Sequence, residues 1–180
     1  MRRFILTGTP GSGKTAILRQ LEMDGFGVVE EAATDVIALS QARGVAEPWT
    51  SSSFIDAVVA LQEQRVAQSA EFAAPIQFHD RSVVCTAALA TYLGYPYSPA
   101  LASALQRIAW EQTFAKHVFF VRNLGFVAPT EARRISFEEA VRFEQIHEEI
   151  YRQHGFRLIP IEPGTIEERA ATIRRIAESV

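Results

Sequence analysis

One cysteine, Cys85, is all that the 180 residues carry, so an internal disulfide is excluded, and no CxxC pair offers a zinc site. His117, His147 and His154 lack the spacing of metal ligands. Long apolar runs are also missing. After Arg2 and Arg3 the N-terminal run is only Phe4, Ile5 and Leu6 before Thr7 and Gly8, too short for a secretory signal, and no run of transmembrane length follows. The expected compartment is therefore the cytosol, with no membrane partner. Charge is scarce in excess of either sign: the net value is −3 and the pI about 5.8, so nucleic acid is not an expected partner. No internal repeat or low-complexity tract interrupts the chain. Its length suits one well-buried domain and is too small for two of ordinary size.

Short apolar runs alternate with segments of helical period, which argues for an α/β domain built on a mainly parallel sheet. Strands are expected at Arg3–Thr7, Gly27–Glu30, Ile76–His79, Val118–Arg122 and Arg157–Ile161, each apolar and largely β-branched or aromatic. Helices are expected at Lys14–Met23, Glu31–Gln41, Ser53–Phe72, Ser82–Leu93 and Pro99–Phe114. The serine run before the third supplies N-cap candidates. Two further helices open on capping boxes, at Ser136 to Glu139 and at Thr165 to Glu168. The least regular stretch lies between Asn123 and Ile135.

The strongest motif is Gly8-Thr9-Pro10-Gly11-Ser12-Gly13-Lys14-Thr15, which matches G-x-x-x-x-G-K-[ST] with a strand before it and a helix after it. Glycines let main-chain N–H groups turn inward around an anion without Cβ clashes. The helix that follows offers its unpaired N–H groups and positive dipole end to the same anion, so Ala16 also falls within reach of the phosphates. Lys14 is expected to reach the β- and γ-phosphates of ATP or GTP, and the Thr15 hydroxyl to ligate Mg²⁺. No Asn/Thr-Lys-x-Asp motif is present to read guanine.

Asp80-Arg81 follows the apolar run Ile76 to His79, at the carboxyl edge of a strand, where open α/β sheets bind ligands. Asp80 there is placed to hold Mg²⁺ and Arg81 to clamp a phosphate or an acceptor group. The bland alternative is a helix-capping aspartate beside a surface arginine. Cys85 reads as a small buried hydrophobe and His79 as a satisfied strand residue. Gln62, Gln64 and Arg65 on the long third helix face either an acceptor pocket or solvent. Trp49, Trp110, Tyr92, Tyr95 and Tyr97 either stack on an acceptor ring or pack.

Four segments together resemble a P-loop family of "AAA domain" ATPases: Thr7 to Thr15, Val28-Val29-Glu30-Glu31-Ala32-Ala33, Phe78-His79-Asp80-Arg81-Ser82 and Arg133-Arg134-Ile135-Ser136-Phe137-Glu138. That family is similar to the ribosylnicotinamide-kinase half of a bifunctional NAD-salvage protein and, more distantly, to deoxynucleoside and thymidylate kinases. The resemblance implies a three-layer P-loop NTPase sandwich with a five-stranded sheet and helices on both faces. It implies that Glu30 or Glu31 addresses the attacking hydroxyl, the alternative being that both are helix-dipole partners. It also implies a lid at about 123–135 whose Arg133 and Arg134 neutralise the moving phosphoryl, unless they only pair with nearby glutamates. Arg122 and the turn Pro163-Gly164 would lie against the nucleobase, the alternative for the turn being an ordinary strand-to-helix connection capped by Thr165. A departure is Thr34, where an arginine is expected. The function implied is transfer of the ATP γ-phosphoryl to a nucleoside-, nucleotide- or other metabolite-type acceptor. The alternative is a nucleotide-dependent switch or slow NTPase without such an acceptor.

Overall fold

The computed structural model describes residues 1–8, 11–122 and 137–180. Five strands form its sheet: β1 (Arg2–Gly8), β2 (Gly27–Val29), β3 (Ile76–Asp80), β4 (His117–Val121) and β5 (Arg157–Ile161). Their order is β2-β3-β1-β4-β5, with every neighbouring pair parallel. Parallel neighbours need crossover connections. Those helices are α1 (Lys14–Met23), α2 (Ala32–Ala42), α3 (Ser53–Gln68), α4 (Val83–Leu93), α5 (Pro99–Glu111), α6 (Phe137–Gln153) and α7 (Ile166–Ser179).

The period-2 alternation of the strands sorts their side chains between two cores. Phe4 and Leu6 of β1, Phe78 of β3 and Phe119 and Val121 of β4 face α1 and α7, where Ile17, Leu21, Ala170 and Ile173 cover them. Phe4, Phe78 and Phe119 lie side by side across the three central strands, with ring centroids 5.6–6.1 Å apart. Ile5 and Val118 point the other way, into a larger core built from α3 to α6 around Val84, Leu101 and Tyr151. Both faces of the sheet are thus covered, and this is why its strands read as continuous apolar runs.

Helix ends follow local chemistry. Ser98 caps α5 by accepting from the Leu101 amide at 3.1 Å, with Pro99 opening the first turn. Thr165 and Glu168 form the full capping box expected at α7, their reciprocal bonds being 3.0 and 3.2 Å long. The box expected at Ser136 lies outside the described residues, as does the segment 123–135. Helix ends depart from the expectation in three places. α5 stops at Glu111 instead of Phe114. The long helix ends at Gln68 and tightens into a 3₁₀ turn, Ser69–Glu71, rather than running to Phe72. In the serine run the N-cap Ser52 makes no side-chain cap; it is the Ser51 hydroxyl that meets the start of α3, 2.8 Å from the Ser53 hydroxyl and accepting from the Ser53 amide at 3.4 Å.

Candidate functional site

β1 ends where the glycine loop begins, and two glycines there are dictated by contact. A Cβ on Gly8 would stand 2.2 Å from the Val121 carbonyl oxygen of β4, and the residue has φ +138°. Only glycine lets the two backbones approach so closely. Gly13 is the N-cap of α1 at φ 87°, and a Cβ there would lie 3.0 Å from a guanidinium nitrogen of Arg169. No side chain caps α1, and its first turn holds no acidic residue. The positive dipole end of α1 therefore carries no acidic side chain of its own first turn. Lys14 is buried in that turn with Nζ 3.5 Å from the Ser12 hydroxyl, while Thr15 and Ala16 face solvent. Thr9 and Pro10 lie outside the described residues.

β3 pairs in parallel with β1 so that Asp80 stands opposite Leu6, one strand over from the loop. The chain then turns through Arg81, a non-glycine residue at φ 70°, whose amide donates to the Leu6 carbonyl at 3.0 Å. A left-handed backbone costs energy for a residue with a Cβ. Here it throws the guanidinium inward, where Arg81 Nε donates to Glu31 Oε1 at 2.7 Å. Burial alone would lower the Arg81 pKa, but Glu31, Cys85 and Asp80 outweigh it and hold the group above its ordinary value. Ser82 then caps α4 through the Val84 amide at 3.2 Å. The Asp-Arg step thus does more than cap a helix: Arg81 joins β3 to the acidic end of β2.

The acidic pair divides. Glu31 is held between Arg81 and Thr34, whose hydroxyl donates to its other oxygen at 2.6 Å, so Thr34 occupies the place where an arginine was expected. Glu30 instead pairs with Arg19, its side chain 55% exposed, and sits on the opposite side of Arg81 from Glu31. Beside Glu31 and Arg81 opens a cavity of about 630 Å³ between α2, α3, α4 and α6. Gln62 of α3 enters its wall with Oε1 accepting from the Thr86 hydroxyl at 2.8 Å, an inward-facing polar residue as one of the two sequence readings had it.

A buried polar chain underlies this corner. The Tyr151 hydroxyl of α6 lies 2.9 Å from Cys85 Sγ and 3.1 Å from the Ser82 hydroxyl, and Cys85 Sγ lies 3.1 Å from the Thr7 hydroxyl. Cys85 is accordingly a link in a network as well as a small buried side chain. Burial, then the neighbouring thiol, pushes the Tyr151 phenol above its ordinary range. One turn along α6, His147 places Nδ1 2.9 Å from the Phe143 carbonyl, so that nitrogen carries the proton and Nε2, which has no hydrogen-bond partner among the described residues, carries the lone pair. Burial, followed by the charges of Arg81 and Lys14, pulls its pKa down to about 3. His79 is also buried, its ring edge-on to Phe114 at 5.0 Å, but its Nε2 has no partner among the described residues, so it is not the satisfied strand residue expected.

Arg122 stands at the end of β4, stacked on the Phe120 ring at 5.0 Å and paired with Glu144 and Glu148 of α6. Pro163 and Gly164 form the exposed turn between β5 and α7. Arg133 and Arg134 lie outside the described residues. One residue escaped the sequence reading altogether. Arg169, buried in the first turns of α7, donates from Nη2 to the Ser12 carbonyl at 2.9 Å and so braces the glycine loop from behind. Nothing in its neighbourhood along the chain marks it, because its partner lies 157 positions earlier. Among the described residues no group of three or more His, Cys, Asp or Glu is arranged to hold a metal, and no helix is long and apolar enough to cross a membrane.

The fold has clear counterparts. A deoxyadenosine kinase from M. mycoides, with the products dCMP and a flexible dCDP bound, superposes with a TM-score of 0.69 at 12% identity, over 99% of this chain and 100% of that one. The same kinase with bound dATP gives 0.63 at 13% identity, over 98% and 99%. Thymidylate kinase from Candida albicans gives 0.61 at 12% identity, over 99% and 91%. These likenesses establish a P-loop NTPase fold of nucleoside-kinase type. No protein of curated function matches the sequence. The family described as "AAA domain" matches residues 3–169, which takes in the glycine loop, the Asp80-Arg81 step and the Arg169 brace, and the chain belongs to that family.

Proposed function

We propose that this chain is a small-molecule kinase that transfers the γ-phosphoryl group of ATP to a metabolite. The supporting observation is the cavity beside the Arg81–Glu31 pair. A switch or slow NTPase needs a place for a nucleotide, but not a second, ring-sized cavity opening beside a carboxylate and a guanidinium at the carboxyl edge of the sheet. The whole of 1–180 is read as one domain, with 123–135 as the lid, working in the cytosol.

On this reading Lys14 and the main-chain N–H groups of the loop from Gly8 to Thr15, Pro10 apart, hold the β- and γ-phosphates, and the N-terminus of α1 adds its dipole. Thr15 and Asp80 suit Mg²⁺, which takes hard oxygen ligands and in phosphoryl-transfer sites is held by one or two protein groups plus phosphates and water. Such an ion would supply positive charge to offset that of the phosphates. Glu31, already held in place by Arg81 and Thr34, would orient the attacking hydroxyl. A loose phosphoryl-transfer transition state asks mainly for such positioning. Glu30, paired with Arg19, is left to shape the neighbouring edge. Arg133 and Arg134 would neutralise the transferring phosphoryl from the lid, and Arg122 and the Pro163-Gly164 turn would border the nucleobase.

The test is Lys14→Ala. Transfer and the ATP-induced rise in melting temperature should both be lost while the circular dichroism spectrum is retained. Unchanged ATP affinity would remove the phosphate site. ADP release that is the same with and without a broad acceptor panel would favour the switch.

A further inference from the structure

We infer a second ligand site, distinct from the phosphate loop and independent of the phosphotransfer reading: a chamber that takes a small carboxylic acid as its carboxylate. The chamber measures about 300 Å³, at the lower end of the range of small-molecule sites, and lies between the sheet, α3 and α5. Among the described residues it shares only Gln62 and Arg81 with the larger cavity beside Glu31. Two polar groups of the sheet meet in it. Arg3 of β1 pairs in register with Gln77 of β3, and His79 stands two positions further along. The alternation of the strands therefore sets Arg3 and His79 diagonally across from each other on one face, and both line the chamber.

Both groups have bonding capacity to spare. The buried His79 ring makes no hydrogen bond among the described residues, so one N–H and one lone pair are unspent. Arg3 is partly buried, and its side-chain bonds are long ones, 3.4 Å to Gln77 Oε1 and 3.5 Å to the Val66 carbonyl. Burial holds its pKa below the ordinary value, with no carboxylate among the described residues to raise it. The other arginines of the wall are engaged. Arg65 donates to the Glu30 and Glu31 carbonyls at 3.0 and 2.6 Å and pairs with Asp35. Arg81 is held by Glu31 and Arg107 by Glu63, at 2.7 and 2.8 Å. Leaving an imidazole and a guanidinium short of partners is costly away from water. One carboxylate relieves both, accepting from the guanidinium in a charge-assisted bond and from the imidazole N–H. Val66, Val83, Ile108 and Phe114 offer an apolar wall for a short chain or ring. The glutamates of the wall oppose this weakly: Glu30 is paired with Arg19, Glu63 with Arg107, and Glu111 is exposed, where water and salt screen it.

The experiment is NMR titration of the full chain with sodium benzoate and sodium butyrate at constant ionic strength. It reads the carbon-bound proton signals of the His79 ring, identified by their loss in His79→Gln, and the Trp49 indole signal of the larger cavity. Benzamide, which lacks the charge, and inorganic phosphate, which lacks the apolar body, serve as comparisons. At least one carboxylate should move the His79 signals saturably and leave the Trp49 indole in place. Benzamide and phosphate should bind about tenfold more weakly or worse, the loss of a charge-assisted bond or of the apolar contact. Arg3→Gln, checked for an unchanged fold, should weaken carboxylate binding by a similar factor, and Lys14→Ala should retain it in full. No saturable movement with either carboxylate overturns the inference, as does movement of Trp49 without His79. Equal binding of benzamide or phosphate, full binding by a folded Arg3→Gln, or loss of binding in Lys14→Ala does so too. Should Arg3→Gln fail to fold, the titrations of the parent chain still decide.

Discussion

Mild acidification should destabilise this protein well before its carboxylates titrate. His79 and His147 are both buried, and their pKa values are pulled to about 3, His79 by burial and then Arg3, His147 by burial and then Arg81 and Lys14. In the unfolded chain both return to roughly 6.5. Between those values the unfolded state binds protons that the folded state refuses, so stability rises with pH and is lost as pH falls below about 6.5. Each histidine contributes a slope of about 1.4 kcal/mol per pH unit. From pH 6.5 to 5.0 the pair should remove about 4 kcal/mol, a large part of the 5–15 kcal/mol typical of a domain. His154, also held low by burial, acts in the same direction. The assay is urea unfolding followed by circular dichroism at pH 7.0, 6.0 and 5.0. With a urea slope near 2 kcal/mol/M, the midpoint should fall by roughly 2 M between the extremes. His79→Leu or His147→Leu should flatten the dependence by about half. A midpoint that stays level from pH 7.0 to 5.0 would refute the argument that both imidazoles are kept neutral by their surroundings.

Three further outcomes follow from the contacts at the site. Glu31→Gln should depress turnover on the order of 100-fold while sparing ATP binding, whereas Glu30→Gln should stay within about twofold of the parent; equal effects would show that the acidic pair does not divide as described. Arg169→Ala should weaken ATP binding about tenfold by releasing the Ser12 carbonyl, with partial recovery in Arg169→Lys, and nucleotide titration of both variants reads this directly. Gly8→Ala should cost several kcal/mol in urea unfolding, since its methyl would overlap the Val121 carbonyl of β4; a loss under 1 kcal/mol would mean that the strands part without penalty.

Features governed by neighbours in sequence were legible without the structure. The apolar runs predicted all five strands to within a residue or two, and the Thr165 box predicted the start of α7, because strand burial and helix capping are written within a few positions. The glycine loop was legible for the same reason. Features made by strands and helices meeting in space were not. Glu30 and Glu31 have the same chemistry and adjacent positions, and only the turn into α2 sends one to Arg19 and the other to Arg81. The left-handed Arg81 could not be inferred from an Asp-Arg-Ser string. The ion pairs of Arg122 with Glu144 and Glu148 arise from α6 docking beside the end of β4, which no periodicity announces.

The brace from Arg169 to Ser12 also bears on the order in which the molecule is made. Ser12 leaves the ribosome 157 positions ahead of the guanidinium that steadies it. A nascent chain thus has its nucleotide motif long before that motif is supported, and tight ATP binding should switch on only when α7 docks. Nucleotide uptake would then report that synthesis has passed Arg169 and that the last helix has found its place.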